Sequence, residues 1–150
     1  MALVRSLANL PWMIEVDAGT YKEGMLVKEG SAANRAALIT AKGDTAIGVI
    51  AESQKDPKTD AQEAAVAGDK RNYFPLGCKS IVHVYGVTSR IFTAGCAIYL
   101  DDAVDGGATE ASGTARPIGH YPRNMASLTT TATGDKVPCY LDVEPGASTV

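Results

Sequence analysis

Only two histidines, one tryptophan and two phenylalanines occur in 150 residues, and aromatic residues make up 6% of the chain. With so few imidazoles, histidine-based catalysis and metal binding have little to draw on. The three cysteines, Cys78, Cys96 and Cys139, stand far apart and form no CxxC pair. Neither a disulfide framework nor a zinc motif is spelled out, and a reducing compartment fits. Basic charge is not in excess, since 14 Lys and Arg face 17 Asp and Glu for a net −3. That removes the main electrostatic term for holding a phosphate backbone, so no nucleic-acid partner is expected. No run approaches the ~20 apolar residues of a membrane span, and no membrane partner is expected either. The glycines form neither GxGxxG nor GxxxxGK[ST], which leaves no phosphate cradle and no cofactor to assign.

What is present is a β pattern. Fifteen glycines and seven prolines are spread along the chain, as many short strands joined by turns require. The clearest strand is residues 80–87 (SIVHVYGV), where Ile81, His83, Tyr85 and Val87 alternate with Val82, Val84 and Gly86 and both faces read as largely buried. Further strands are expected at 24–28, 36–40, 45–51, 89–93, 96–100, 114–120, 126–131 and 136–143. Pro117 and Pro138 place edges or bulges in 114–120 and 136–143 respectively. One segment departs from the pattern: residues 59–67 (TDAQEAAVA) are alanine-rich, carry Asp60 and Glu63 at capping-box spacing and end at Gly68. They read as a two-turn helix in an inserted loop, 52–72, whose flanks are polar hinges.

The leader, residues 1–16, is unusually apolar, with Leu7, Leu10, Trp12, Met13 and Ile14 on either side of Pro11. It reads equally as an extended arm or as the first core strand, and its tryptophan is a preferred interface anchor. No secretion signal is read in it. The expected organisation is an N-terminal arm over 1–16 and one β-barrel domain over 17–150. A weak internal echo runs through the barrel. Ala18-Gly19, then Met25-Leu26-Val27, then Ile47-Gly48 match Ala94-Gly95, Ile98-Tyr99-Leu100 and Ile118-Gly119, with glycine separations of 76 and 71. Such an offset is what two similar hairpin units closing one barrel would produce.

Little chemistry survives this reading. His83 is a strand residue, and His120, at a strand end, is the better general-base candidate should Cys96 or Cys139 serve as a nucleophile in a small hydrolase. No nucleophile elbow surrounds any of them. Asp101, Asp102, Asp105 and Glu110 around Gly106-Gly107 lack EF-hand spacing and read as a solvated hairpin loop. No catalytic, cofactor-binding or metal residue is assigned, and the chain is read as no enzyme.

The run Thr93-Ala94-Gly95-Cys96-Ala97-Ile98-Tyr99-Leu100-Asp101-Asp102, the acidic glycine-rich loop, and Ser112-Gly113-Thr114-Ala115-Arg116-Pro117-Ile118-Gly119 together resemble the capsid cement, or head decoration, proteins of tailed bacteriophages. In that family an AG-x-x-[VI]-Y-[LW]-D hairpin precedes a variable loop and a [KR]-x-IG strand. The earlier AG and IGV elements correspond to Ala18-Gly19 with residues 24–27 and to Ile47-Gly48-Val49. The resemblance covers about residues 17–143. It implies a mainly-β fold, a small barrel of short antiparallel strands, and a virion protein on the outer capsid surface, made in the host cytoplasm. Its partners would be the major capsid protein and itself, as a trimer at local threefold positions that stabilises the expanded shell. Leu7, Leu10, Trp12, Met13 and Ile14 become the expected capsid or inter-subunit contacts. The competing class is another phage structural β-module, a head-fibre base or a tail-tube component.

Overall fold

Twelve strands and no helix make up the described residues, 11–111 and 116–143, of the computed structural model. They are β1 (Trp12–Val16), β2 (Leu26–Glu29), β3 (Arg35–Leu38), β4 (Ala46–Ile50), β5 (Lys70–Pro75), β6 (Ile81–Gly86), β7 (Ile91–Phe92), β8 (Ala97–Asp101), β9 (Gly107–Thr109), β10 (Pro117–His120), β11 (Leu128–Thr129) and β12 (Asp135–Tyr140). Hydrogen bonding joins β1-β3-β2-β4-β5 into one closed barrel and β6-β9-β8-β10-β12 into a second, while β7 and β11 form a separate two-stranded sheet. The two barrels have the same plan. In each, the first strand runs parallel to the third, β1 with β3 and β6 with β9, and every other ladder is antiparallel.

The internal echo in the sequence follows this duplication, with one half in each barrel instead of both in one. Its Ile-Gly pairs mark equivalent close approaches. A Cβ at Gly48 on β4 would stand 2.6 Å from the Phe74 carbonyl oxygen on β5, and one at Gly119 on β10 would collide with the Tyr140 carbonyl oxygen on β12. Glycine at these two positions lets the neighbouring backbone come in where any side chain would hold it off.

Burial follows the strand alternation. On β2 and β4 of the first barrel, Val27 and Ile50 join Val16, Tyr21, Met25, Ala36 and Ala65 in its own core. Leu26 and Val49, one residue away on the same strands, join Val82, Val84, Ile98, Leu100, Ile118, Val137 and Leu141 in the core of the second barrel. The outer wall of one barrel is thus a floor of the other, and a one-residue slip in β2 or β4 would exchange the two cores. Hydrogen bonds seal the junction: Tyr85 N–H donates to Gly24 O at 2.9 Å, Leu26 N–H to Gly106 O at 2.9 Å, and Gly106 N–H to Ile39 O at 2.8 Å. Lys136 and Glu23 add an ion pair at 2.7 Å. Burial pushes the Tyr21 phenol up to about 12, with the Asp17 carboxylate adding to the effect.

The helix expected at 59–67 is absent. Asp60 has φ 58°, outside any right-handed helix, and the backbone bonds elsewhere: Asp56 N–H to Ala61 O and Glu63 N–H to Gln54 O, with Ala65 and Gly19 exchanging both N–H···O bonds. Nine residues are too few to hold a helix without a packed face. The extended partners on offer outweigh alanine's propensity, and only Ala65 of the segment is buried among the core residues. Of the polar hinge expected at 69–72, residues 70–72 instead belong to β5, the strand that closes the first barrel against β1 and β4. The small barrel is two barrels, and not every neighbouring pair in them is antiparallel. The extended apolar arm is corrected for its last residues, because Trp12–Val16 is a wall strand paired to β5 from Trp12 to Glu15 and to β3 at Glu15 and Val16.

On β6 only one face is buried. Ile81 and His83 are exposed while Val82 and Val84 are not. The acidic loop is more than a solvated hairpin, since Gly106 is clipped to the first barrel and β9 is fully buried. Pro117 does sit at a register shift between β10 and β8. Leu141 N–H donates to Ser80 O, so by the antiparallel alternation the nitrogen of Pro138 faces away from β6. On that side β12 is registered to β10 at Tyr140 alone, and no ladder bond is lost at the proline.

Candidate contact site

Trp12 and Met13 are each 64% exposed, the largest side chains of the apolar stretch that the structure describes. Leu7 and Leu10 lie outside the described residues. Ile14 is half-buried and packs against the core of the first barrel, so of the expected contacts it belongs in part to the wall. Register places Trp12 and Ile14 opposite Tyr73 and Arg71 on β5. Trp12 therefore shares a face with the barrel interior yet stands at its mouth. Arg71 is 7% exposed, donates from Nη1 to Lys70 O at 2.9 Å, and has no partner for its Nε. Its charge opposes part of the upward push on the Tyr21 phenol.

The backbone beside Met13 is open. Val16 N–H turns to Asp69 O and Asp17 N–H to Ala36 O, so odd residues of β1 direct their peptide groups toward β3. The β1–β3 ladder registers only Glu15 with Arg35 and Val16 with Ala36. Asn34, at φ 64°, bends the chain just before β3 begins. Among the described residues, no strand consequently lies beside Met13 on that edge. A groove of about 350 Å³ alongside β1 is lined by Met13, Ile14 and Glu15, by Asn34 ahead of β3, and by Lys70 and Tyr73 of β5. Such an edge, bordered by exposed apolar side chains, is a template for an added strand. Asn34, Lys70 and Tyr73 were not legible as part of it; the Tyr73-Phe74 pair was the available strand signal, masked by Lys70-Arg71-Asn72 before it.

A second concavity, of about 320 Å³, lies on the second barrel and is lined by Ile81, His120, Tyr121, Pro122, Arg123, Asn124, Tyr140 and Asp142. His120 Nδ1 lies 2.8 and 2.9 Å from the two oxygens of Asp142. The cysteines belong to the core of the second barrel and do not line the concavity: Cys139 is buried, and half-buried Cys78 and Cys96 pack against the same core. Burial above all, helped by Asp142 and the two other thiols, pushes the Cys139 thiol well above its ordinary value. It is held protonated and out of reach, so a thiolate nucleophile is not available there. The other histidine, His83, faces outward opposite Pro138. Among the described residues no three His, Cys, Asp or Glu side chains are placed to hold a metal ion, and no helix is long and apolar enough to cross a membrane.

No family model matches the chain, and no curated protein matches it.

Proposed function

We propose that the protein is a structural component of a tailed-phage virion that binds the outer capsid surface and stabilises the expanded shell, acting as a trimer at local threefold positions. The observation that carries this reading is the pairing of a β edge at Met13, unfilled among the described residues, with exposed Trp12 and Met13 on a rigid barrel wall. An extended segment of the shell protein can lie along β1, bonding its backbone to Met13 and covering both side chains. Two barrels with a shared core present this edge with little internal freedom, and repetition by symmetry turns weak single contacts into avidity. The sequence resemblance supplies the partner class.

Trp12 is the sole tryptophan and reports directly on this contact. Its emission is expected to shift to shorter wavelength when the protein is mixed with expanded capsid shells and to stay unchanged with unrelated protein shells. Protein that pellets with the shells while its tryptophan emission does not move would place the contact elsewhere on the molecule.

A further inference from the structure

The cleft on the second barrel has the makings of a ligand site, independently of the contact face on the first. Its floor and walls are held rigidly. Tyr121 is buried, stacks on Phe92 with ring centroids 6.2 Å apart, and donates its hydroxyl to Ala126 O at 2.7 Å. Its backbone exchanges bonds with the turn that leads into β8, Gly95 N–H to Tyr121 O and Tyr121 N–H to Cys96 O. Met125 N–H closes the turn onto Pro122 O. The loop that carries Pro122, Arg123 and Asn124 is therefore anchored at both ends.

Three apolar surfaces converge on it: Ile81, which is 56% exposed, its cross-strand partner Tyr140, and Pro122. An isoleucine left open between an aromatic ring and a proline is a ready seat for an apolar body. The charges are uneven. Asp142 is already engaged by His120 Nδ1, which orients that ring and occupies the carboxylate. Arg123 has no ion pair and Asn124 no side-chain hydrogen bond among the described residues. The Arg123 stem lies across Gly95, where a Cβ would stand 3.4 Å from Cγ and 3.9 Å from Cζ. Gly95, at φ 78°, thus suits the turn and gives the stem its bed. A preset guanidinium at the rim of an apolar cleft recognises a carboxylate by paired N–H donors.

We infer that this cleft binds a carboxylate carried on a compact apolar body, with the body between Ile81, Tyr140 and Pro122 and the carboxylate on Arg123 and the Asn124 amide. The carboxylate lies on the Arg123 side because Asp142 repels it from the other. The same chemistry arrives either as a free small acid or as the terminal aromatic residue of a polypeptide.

The test is titration of the full chain, followed by backbone amide shifts, with 3-phenylpropionate, with the tripeptide Gly-Gly-Phe and with neutral 3-phenylpropanamide. Saturable shifts confined to residues 81, 120–124 and 140–142 are expected with at least one acid and not with the amide. Tighter binding of the tripeptide identifies a polypeptide source, and tighter binding of 3-phenylpropionate a free acid. Arg123→Gln, at an exposed position, is expected to weaken binding at least about tenfold, and Ile81→Ser to weaken it while leaving the remaining spectrum intact. Absence of saturable shifts with both acids, equal shifts with the neutral amide, or undiminished binding by Arg123→Gln would overturn the inference.

Discussion

Deleting residues 1–16 is expected to unfold the first barrel. The segment includes β1, the strand through which β5 and β3 meet. Val16 is fully buried and Ile14 half-buried, and losing their burial alone removes about 2–4 kcal/mol. The broken ladders to β5 and β3 then leave two open edges and uncover Tyr21, Val27, Ala36 and Ile50. Deleting only 1–10 leaves all five strands of that barrel in place and serves as the control. Amide exchange distinguishes the outcomes. The longer deletion is expected to lose protection across residues 26–29 and 46–50, and unchanged protection there would show that β1 is not part of the wall. The consequence for function is direct: loss of shell binding on removing 1–16 would report a collapsed barrel as readily as a missing arm. The question of contact therefore belongs to single substitutions at Trp12 and Met13.

The second large effect is expected at Gly119. A Cβ there would meet the Tyr140 carbonyl oxygen head-on and stand 2.9 Å from the buried Cys139 Sγ. Backbone cannot swing aside as a flexible side chain can, so Gly119→Ala must push β10 from β12 or bend the strand. Overpacking of this kind costs about 1–3 kcal/mol, and backbone contact places the substitution at or above the upper end. Gly48→Ala faces the equivalent approach in the first barrel, from the Phe74 carbonyl oxygen and the Tyr73 ring, and should lose a similar amount. Gly43→Ala, with nothing within 4 Å of its Cβ, is expected to stay within about 0.5 kcal/mol of the parent. Urea midpoints at constant slope measure all three. A Gly119→Ala protein as stable as the Gly43→Ala protein would mean that the two strands do not approach as closely as described.

These two glycines also show what was readable in the chain. The Ile-Gly echo was visible because a tight strand crossing tolerates only glycine, and the crossing occurs twice. That each half closes its own barrel was not visible, because β9 is three residues from a loop whose Asp and Gly content resembles a turn, and β5 opens on Lys70-Arg71-Asn72. Alternation located β6 and β12, yet it could not say which face of β6 is wet. Ile81 looks like a core residue in the sequence, and only the fold leaves it uncovered above the cleft. At 59–67 the composition favoured a helix, and long-range partners at Gly19 and Gln54 took the backbone instead. Trp12 and Met13 stood out in the sequence as apolar side chains beside a proline, and the structure leaves both exposed. The groove that borders them depends on where β3 begins, which the residues do not announce. His120 was singled out for a thiol, but its ring serves Asp142.

The proposed capsid binding is decided by co-sedimentation of the purified protein with undecorated, expanded shells of the virus or prophage proposed to encode it. Saturable pelleting at about one copy per capsid subunit is expected, as a trimer on each local threefold position requires. Failure to pellet with well-formed shells, at any concentration at which the protein is folded, would contradict the account and shift the weight to a fibre-base or tail-tube component.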